Sequence, residues 1–368
     1  MTIPVNTPLL DGNEKKYLME CIDSGWISSE GPFVEKLEKG ICQLTGRSHG
    51  IAVCNGSIAL DIAVQALRIG PGDEVILPSF TIISCAAAII RAGATPVFVD
   101  SDPITWNMRV DEVSRAITPQ TKAIMAVHIY GLPVDMDPIL ELAEKYGLYV
   151  IEDAAEMHGQ TYKGRPCGSL GDISTFSFYP NKHITTGEGG MLVCNCEDLA
   201  ERCRYLRNLC FQKKRFVHEE LGWNARMSNL QAAIGVAQLE RLPSFIEKKR
   251  EIGRLYQEQL NDTPQLQLPL NNTDYSKNIY WVFGVVLEDN FPMDAEKVMS
   301  ELAKSGIGTR PFFWPMHEQP VFAGHTYTKR QLPTASKLAR RGFYLPSGLG
   351  LRMDEIRVVT DTLKSILR

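Results

Sequence analysis

Between residue 50 and about residue 195, short apolar runs alternate with stretches of helical length. The runs are Ile51-Ala52-Val53, Glu74-Val75-Ile76-Leu77, Pro96-Val97-Phe98-Val99, Lys122-Ala123-Ile124-Met125-Ala126-Val127 and Leu148-Tyr149-Val150-Ile151. This alternation predicts an α/β fold, with βαβ units around a mostly parallel, buried sheet. The punctuation agrees: Ile69-Gly70-Pro71-Gly72-Asp73 closes one helix and Arg91-Ala92-Gly93-Ala94-Thr95-Pro96 closes the next. Functional groups are then expected beyond the carboxyl ends of the strands.

Residues 228 to about 260 predict one long helix opened by Ser228. Leu230, Ile234, Ala237 and Leu239 fall near one stripe, and charges such as Glu247, Lys248 and Lys249 lie elsewhere. Such a helix can link two lobes. After Pro264-Gln265-Leu266-Gln267-Leu268-Pro269, a strand over 280–286, a helix near 294–305 and terminal helical patterns predict a compact α+β lobe. The expected division is a large α/β domain over 1–245 and a small C-terminal α+β domain over 246–368.

A chain of 368 residues with 44% hydrophobic and 22% charged content can bury a large core. Its net charge of -4 supplies no general attraction for nucleic acid. Of nine cysteines only Cys194 and Cys196 are close in sequence, and no second pair completes a metal-ligand pattern. Reduced thiols in a cytoplasmic protein are the expectation, with no metal site. The first eight residues lack a basic segment leading into an apolar core, and no run of 18 apolar residues occurs, so neither export nor a membrane partner is expected.

Two segments carry the chemistry. Ile151-Glu152-Asp153-Ala154-Ala155-Glu156 leaves a strand with its acids at the sheet edge, and Lys182 follows in Phe176-Ser177-Phe178-Tyr179-Pro180-Asn181-Lys182-His183, before the turn Gly187-Glu188-Gly189-Gly190. An enzyme using pyridoxal 5'-phosphate (PLP) needs an amine to hold the cofactor aldehyde and an acid facing the pyridine nitrogen. Taken singly, Asp153 reads as a helix cap and Lys182 as a solvated charge; together they favour the cofactor. Asn55-Gly56-Ser57-Ile58 opens a helix after a core strand, so the N–H groups of Ser57 and Ile58 and the Ser57 hydroxyl are candidates for an anion, as is Ser177. Asn224 precedes the long helix, and Lys213-Lys214-Arg215 is either a solvated face or a diphosphate contact.

Together these segments resemble the DegT/DnrJ/StrS family of PLP-dependent sugar-nucleotide aminotransferases, and the resemblance runs through nearly the whole chain. It extends to Gly25-Trp26-Ile27-Ser28-Ser29-Glu30-Gly31-Pro32, Pro78-Ser79-Phe80-Thr81, Val127-His128-Ile129-Tyr130-Gly131 and Gly222-Trp223-Asn224-Ala225-Arg226-Met227. The resemblance implies fold type I, with Lys182 holding the cofactor covalently and Asp153 paired with its ring nitrogen. Glu156, often a glutamine in such proteins, reaches the ring hydroxyl region. Ser57, Ile58 and Ser177 hold the phosphate, joined by Asn224 of a neighbouring subunit in a homodimer with shared active sites. Lys213, Arg215 and His317 are the expected substrate contacts, placed by loop position and resemblance.

The implied reaction moves an amino group from L-glutamate to a keto-sugar nucleotide, for surface polysaccharide or O-antigen synthesis. The resemblance carried by Thr309-Arg310-Pro311-Phe312-Phe313-Trp314-Pro315-Met316-His317 and Gly189-Gly190-Met191 implies GDP-4-keto-6-deoxymannose as the acceptor, giving GDP-perosamine. A UDP- or dTDP-linked keto sugar is the alternative acceptor. Departures from the family pattern are Ile82, where a stacking aromatic is usual, His183 after the lysine, and Arg207-Asn208-Leu209-Cys210 in place of Arg-Asn-His-Gly. A sugar dehydratase, in which histidine replaces the lysine, is opposed by Lys182 although His183 adjoins it. A PLP-binding sensor is the non-enzymatic rival, and a dinucleotide fold lacks its G-x-G-x-x-G spacing.

Overall fold

Aliphatic runs buried on both faces of a pleated sheet leave water while every backbone polar group stays paired, which is why these segments are strands. The computed structural model describes residues 2–214, 216–325 and 330–368. In it the runs become β1 (His49–Val53), β2 (Glu74–Pro78), β3 (Thr95–Val99), β4 (Thr121–Val127) and β5 (Tyr149–Asp153). A hairpin of β6 (Thr161–Tyr162) and β7 (Arg165–Pro166) follows, then β8 (Ile173–Ser177) and β9 (Gly190–Cys194). The large sheet runs β1-β9-β8-β5-β4-β2-β3. Only β9 is antiparallel to its neighbours, β1 and β8. That strand was not anticipated, because Gly190 also ends a glycine-rich turn. Its reversal matters: Ser177 pairs with Gly190, so the connection carrying Lys182 starts and ends at the edge where Asp153 and Val127 also end.

Helices α1 (Glu14–Ser24), α2 (Pro32–Thr45), α3 (Gly56–Ala66), α4 (Ile83–Arg91), α5 (Val110–Ala116), α6 (Met136–Tyr146) and α7 (Glu197–Arg207) cover the sheet or pack around it. The expected helix over 228–260 is two, α8 (Asn229–Glu240) and α9 (Leu242–Leu260). Ser228 does cap α8, in a reciprocal box with Gln231. The break has a cause in Pro243, which has no N–H for the carbonyl of Leu239 and whose ring crowds it. In α9, Leu242 and Phe245 join the core of the large sheet, whereas Ile252, Tyr256 and Leu260 join that of the C-terminal lobe. The expected boundary at 245 therefore falls inside a helix shared by both cores.

The C-terminal lobe is an antiparallel sheet ordered β10-β11-β13-β12. Its strands are β10 (Leu266–Gln267), β11 (Phe283–Leu287), β12 (Arg310–Pro311) and β13 (Gly342–Leu345), packed with α10 (Ala295–Lys304), α11 (Pro333–Arg341) and α12 (Met353–Leu367). The N-terminal segment also lies along this lobe: Ile3 exchanges backbone hydrogen bonds with Gly306 and Gly308, and Ser347 donates to Val5. Among the described residues no helix is long and apolar enough to cross a membrane.

One buried acid stabilises the sheet edge without entering the site. Glu152 accepts from the backbone N–H groups of Gly168 (2.6 Å), Leu170 (2.9 Å) and Gly171 (3.2 Å), the Ser174 hydroxyl (2.8 Å) and His128 Nε2 (3.1 Å). His128 Nδ1 accepts from Val134, so the ring proton sits on Nε2. Burial alone would raise the Glu152 carboxyl, but these donors hold it down to about 2. Its contribution to stability is therefore complete above its ordinary value of 4.5 and is lost as pH falls toward 2. Glu152→Gln, which turns an amide N–H toward these donors, is expected to cost about 3 kcal/mol or more at pH 7. Urea midpoints measured from pH 7 downward should show the difference shrinking below pH 4.5.

Candidate active site

At the carboxyl edge of the large sheet a cavity of about 550 Å³ opens between the two lobes' loops. Ser57, Asp153, Glu156, Ser177 and Lys182 all line it, brought there from β5, β8, the start of α3 and the 178–189 connection. Asp153, the last residue of β5, is held at both oxygens: Oδ1 accepts the Ala155 N–H at 3.0 Å and Oδ2 the Cys85 thiol at 3.3 Å.

Lys182 sits in a turn closed by its own N–H on the Tyr179 carbonyl at 2.9 Å. Its Nζ lies 3.8 Å from Glu156 Oε1 and 3.9 Å from the centre of the Trp281 ring. Burial lowers the proton affinity of the amine, opposed in part by Glu156 and Asp153. Burial also pushes the Glu156 carboxyl up to about 8, against Lys182 and the Tyr130 N–H that reaches Oε2 at 2.6 Å. Tyr130 itself adopts a left-handed φ of 53°. Burial thus favours the uncharged form of each group, while the two, 3.8 Å apart, favour each other's charged form.

The start of α3 reaches the cavity because Gly56 has no side chain: a Cβ there would meet the Ser177 Cβ at 2.7 Å. The Ser57 and Ser84 hydroxyls share a hydrogen bond of 2.7 Å at this corner. Ile58 departs from expectation. Its N–H is donated to Asn55 Oδ1 at 2.9 Å, because Asn55 caps α3 with its own side chain, and Ile58 does not line the cavity. Thr175 lines the cavity as well, and its buried hydroxyl has no hydrogen-bond partner among the described residues. The period of two in β8 puts Thr175 on the face of Ser177, which was the available signal.

Other expected contacts lie elsewhere. Neither Lys213, Asn224 nor His317 lines the cavity of its own chain, and Arg215 lies outside the described residues. Lys213 is exposed in a loop, and Asn224 pairs in a backbone bridge with Asn208. His317 is engaged by Ser79 Oγ (2.7 Å) at Nδ1 and Ser336 Oγ (3.3 Å) at Nε2, which makes it a strut between the lobes. His183 is buried behind the turn with Nε2 on the Ile279 carbonyl at 3.2 Å, and burial with nearby Lys249 lowers it to about 3. It stays neutral and off the cavity wall. Ile82 does line the cavity, and the aromatic surface comes instead from Tyr179, Trp281, Phe313 and Tyr344. Trp281 was missed: its Nε1 donates to the Asn181 carbonyl at 2.8 Å, a link between lobes that no local pattern records.

Known proteins share this fold and much of this sequence. GDP-perosamine synthase of Vibrio cholerae is 41% identical over 365 residues, covering 99% of this chain and 98% of the relative. The synthase of Caulobacter vibrioides is 43% identical over 366 residues, covering 99% and 98%. The crystal structure of S. venezuelae DesV in complex with a ketimine intermediate superposes with a TM-score of 0.89 at 34% identity, over 97% of this chain and 94% of that one. Spr1654 from Streptococcus pneumoniae in its PMP form superposes with a TM-score of 0.92 at 26% identity, over 100% and 98%. The model of the DegT/DnrJ/EryC1/StrS aminotransferase family matches residues 8–364, and the chain belongs to that family.

Proposed function

We propose that this aminotransferase uses PLP to move an amino group from L-glutamate to the keto carbon of GDP-4-keto-6-deoxymannose, giving GDP-perosamine. The observation that carries the chemistry is the buried Lys182 amine 3.8 Å from Glu156 in one cavity with Asp153. The cavity suits the cofactor on its own terms, with an unpartnered Thr175 hydroxyl and a side-chain-free helix start at Gly56 on the side where a phosphate needs donors. Lys182 would hold the aldehyde carbon, Asp153 the ring nitrogen, and Ser57, Ser177 and Thr175 the phosphate. When bound, the cofactor supplies an electron sink for negative charge on the carbon next to the amino nitrogen.

The chain's own residues do the rest. Lys182, stripped of hydration, is a base able to carry a proton between neighbouring carbons. Glu156 keeps its proton at neutral pH and so donates a hydrogen bond, as the glutamine common at this position would. Trp281, Phe313 and Tyr344 exclude water from the cavity wall.

The choice of a GDP sugar rests on the identity of 41–43% to GDP-perosamine synthases. A UDP-linked acceptor is the second reading, favoured by 38% identity over 333 residues to a UDP-N-acetyl-3-dehydro-glucosamine 3-aminotransferase of Acidithiobacillus ferrooxidans. For assembly, the reading is a homodimer in the cytoplasm in which Asn224 completes the partner's site. It is supported by the loop before Asn224, which leaves Phe216 73% and Leu221 94% exposed. A thermal-shift panel of GDP, UDP and dTDP on the holoenzyme decides the nucleotide. At one hundred times its Kd the right one adds about 2.7 kcal/mol of stability. GDP is expected to raise the midpoint most, and a larger shift with UDP or dTDP replaces the acceptor. Independently, glutamate alone should yield 2-oxoglutarate in proportion to the holoenzyme.

A further inference from the structure

We propose that Cys85 is a positioning residue for Asp153, the middle of a buried hydrogen-bond chain that begins at Thr81 and ends on the acid facing the cavity. The inference rests on the reading of Asp153 as the partner of the ring nitrogen. Cys85 Sγ lies 3.3 Å from Asp153 Oδ2 and 3.4 Å from Thr81 Oγ1. All three residues are buried, Cys85 without any exposed surface. Thr81 and Asp153 line the cavity; Cys85 stands behind them on α4.

The direction of the chain follows from donor counting. A thiol has one proton, and an ionised carboxylate can only accept, so the Cys85 proton goes to Asp153 and the Thr81 hydroxyl donates to sulfur. Burial, with the Asp153 charge beside it, holds the Cys85 thiol well up and keeps that proton in place. The Ala155 N–H alone fixes one oxygen and leaves the carboxylate free to turn about its last bond. The thiol fixes the other, so the plane of the carboxylate is set before a ligand arrives. None of the nine cysteines makes a disulfide among the described residues, and Cys85 is the one whose sulfur touches an acid of this cavity.

The test reads the bond itself. The S–H stretching band falls in an infrared window clear of other protein bands, and subtracting the spectrum of Cys85→Ala from that of wild-type holoenzyme isolates this thiol. Should Cys85→Ala fold poorly, Cys85→Ser isolates the same band. The band is expected at the lowered frequency of a hydrogen-bonded thiol, moving upward in Asp153→Asn. In turnover, Cys85→Ala is expected to lose roughly tenfold in kcat with KM for glutamate held, the size of one net hydrogen bond, while Cys85→Ser restores kcat to within about threefold of wild type. A band at the free-thiol frequency that ignores Asp153→Asn, or an alanine variant as fast as the serine one, overturns the proposal. Full activity of Asp153→Asn overturns the reading of Asp153 instead, and leaves the infrared result to stand by itself.

Discussion

Lys182→Ala is expected to abolish amino transfer, lowering kcat by at least about 10⁴-fold, the upper end of what one positioned base contributes, because the same nitrogen is also the nucleophile. Exogenous amines can replace a mobile solvated lysine; here the amine is enclosed between Glu156 and the Trp281 ring, so rescue should be slight. The fold should survive. Removing one member of a buried ion pair is usually costly because a charge is stranded, yet burial already pushes Glu156 up to about 8, so the acid left behind is neutral at pH 7. Formation of 2-oxoglutarate and the thermal midpoint, measured together, check both halves. Turnover within tenfold of wild type would falsify the role of Lys182. Mixing this variant with Asn224→Ala and refolding them together should restore activity above either alone, since a mixed dimer then holds one site with both residues intact. No gain on mixing would confine each site to a single subunit.

Much of this was legible before folding, and the parts that were not share a physical reason. Period and punctuation carried the parallel strands, and the lysine and acid at two strand ends carried the cavity. What escaped depends on side chains meeting across distance. Trp281 comes from the C-terminal lobe and meets Lys182 across a long stretch of intervening chain. Cys85 looked like one thiol in a scatter, since its partner Asp153 is 68 residues away. Other misses were written in the sequence but outweighed. Pro243 marks the helix break, and the expectation of one helix rested on the stripe from Leu230 to Leu239, which ends before it. Asn55 is a strong cap, and its claim on the Ile58 N–H removes a donor that the bare helix start promised. His317 and Lys213 were placed by loop position, the weakest of the signals used.

Asp153→Asn should lower kcat by roughly 10²–10³-fold or more, the range for losing one preorganised electrostatic contact, while KM for glutamate changes little. Charge rather than shape sets this effect. An asparagine fits the end of β5, and its carbonyl oxygen can still accept the Ala155 N–H that now meets Asp153 Oδ1 at 3.0 Å. It cannot keep a ring nitrogen protonated, because no negative charge remains to face that proton. Asp153→Ala is the poorer test, since it also strands the Cys85 thiol in a buried site and mixes a packing loss with the chemical one. Cofactor retention should be nearly intact in Asp153→Asn, because on the proposed reading Lys182 and the serines of α3 and β8 would hold the rest of the molecule. Single-turnover rates with glutamate separate the two terms. A slow step at full cofactor occupancy is the expected result, and an unchanged rate assigns the ring-facing role to some other group.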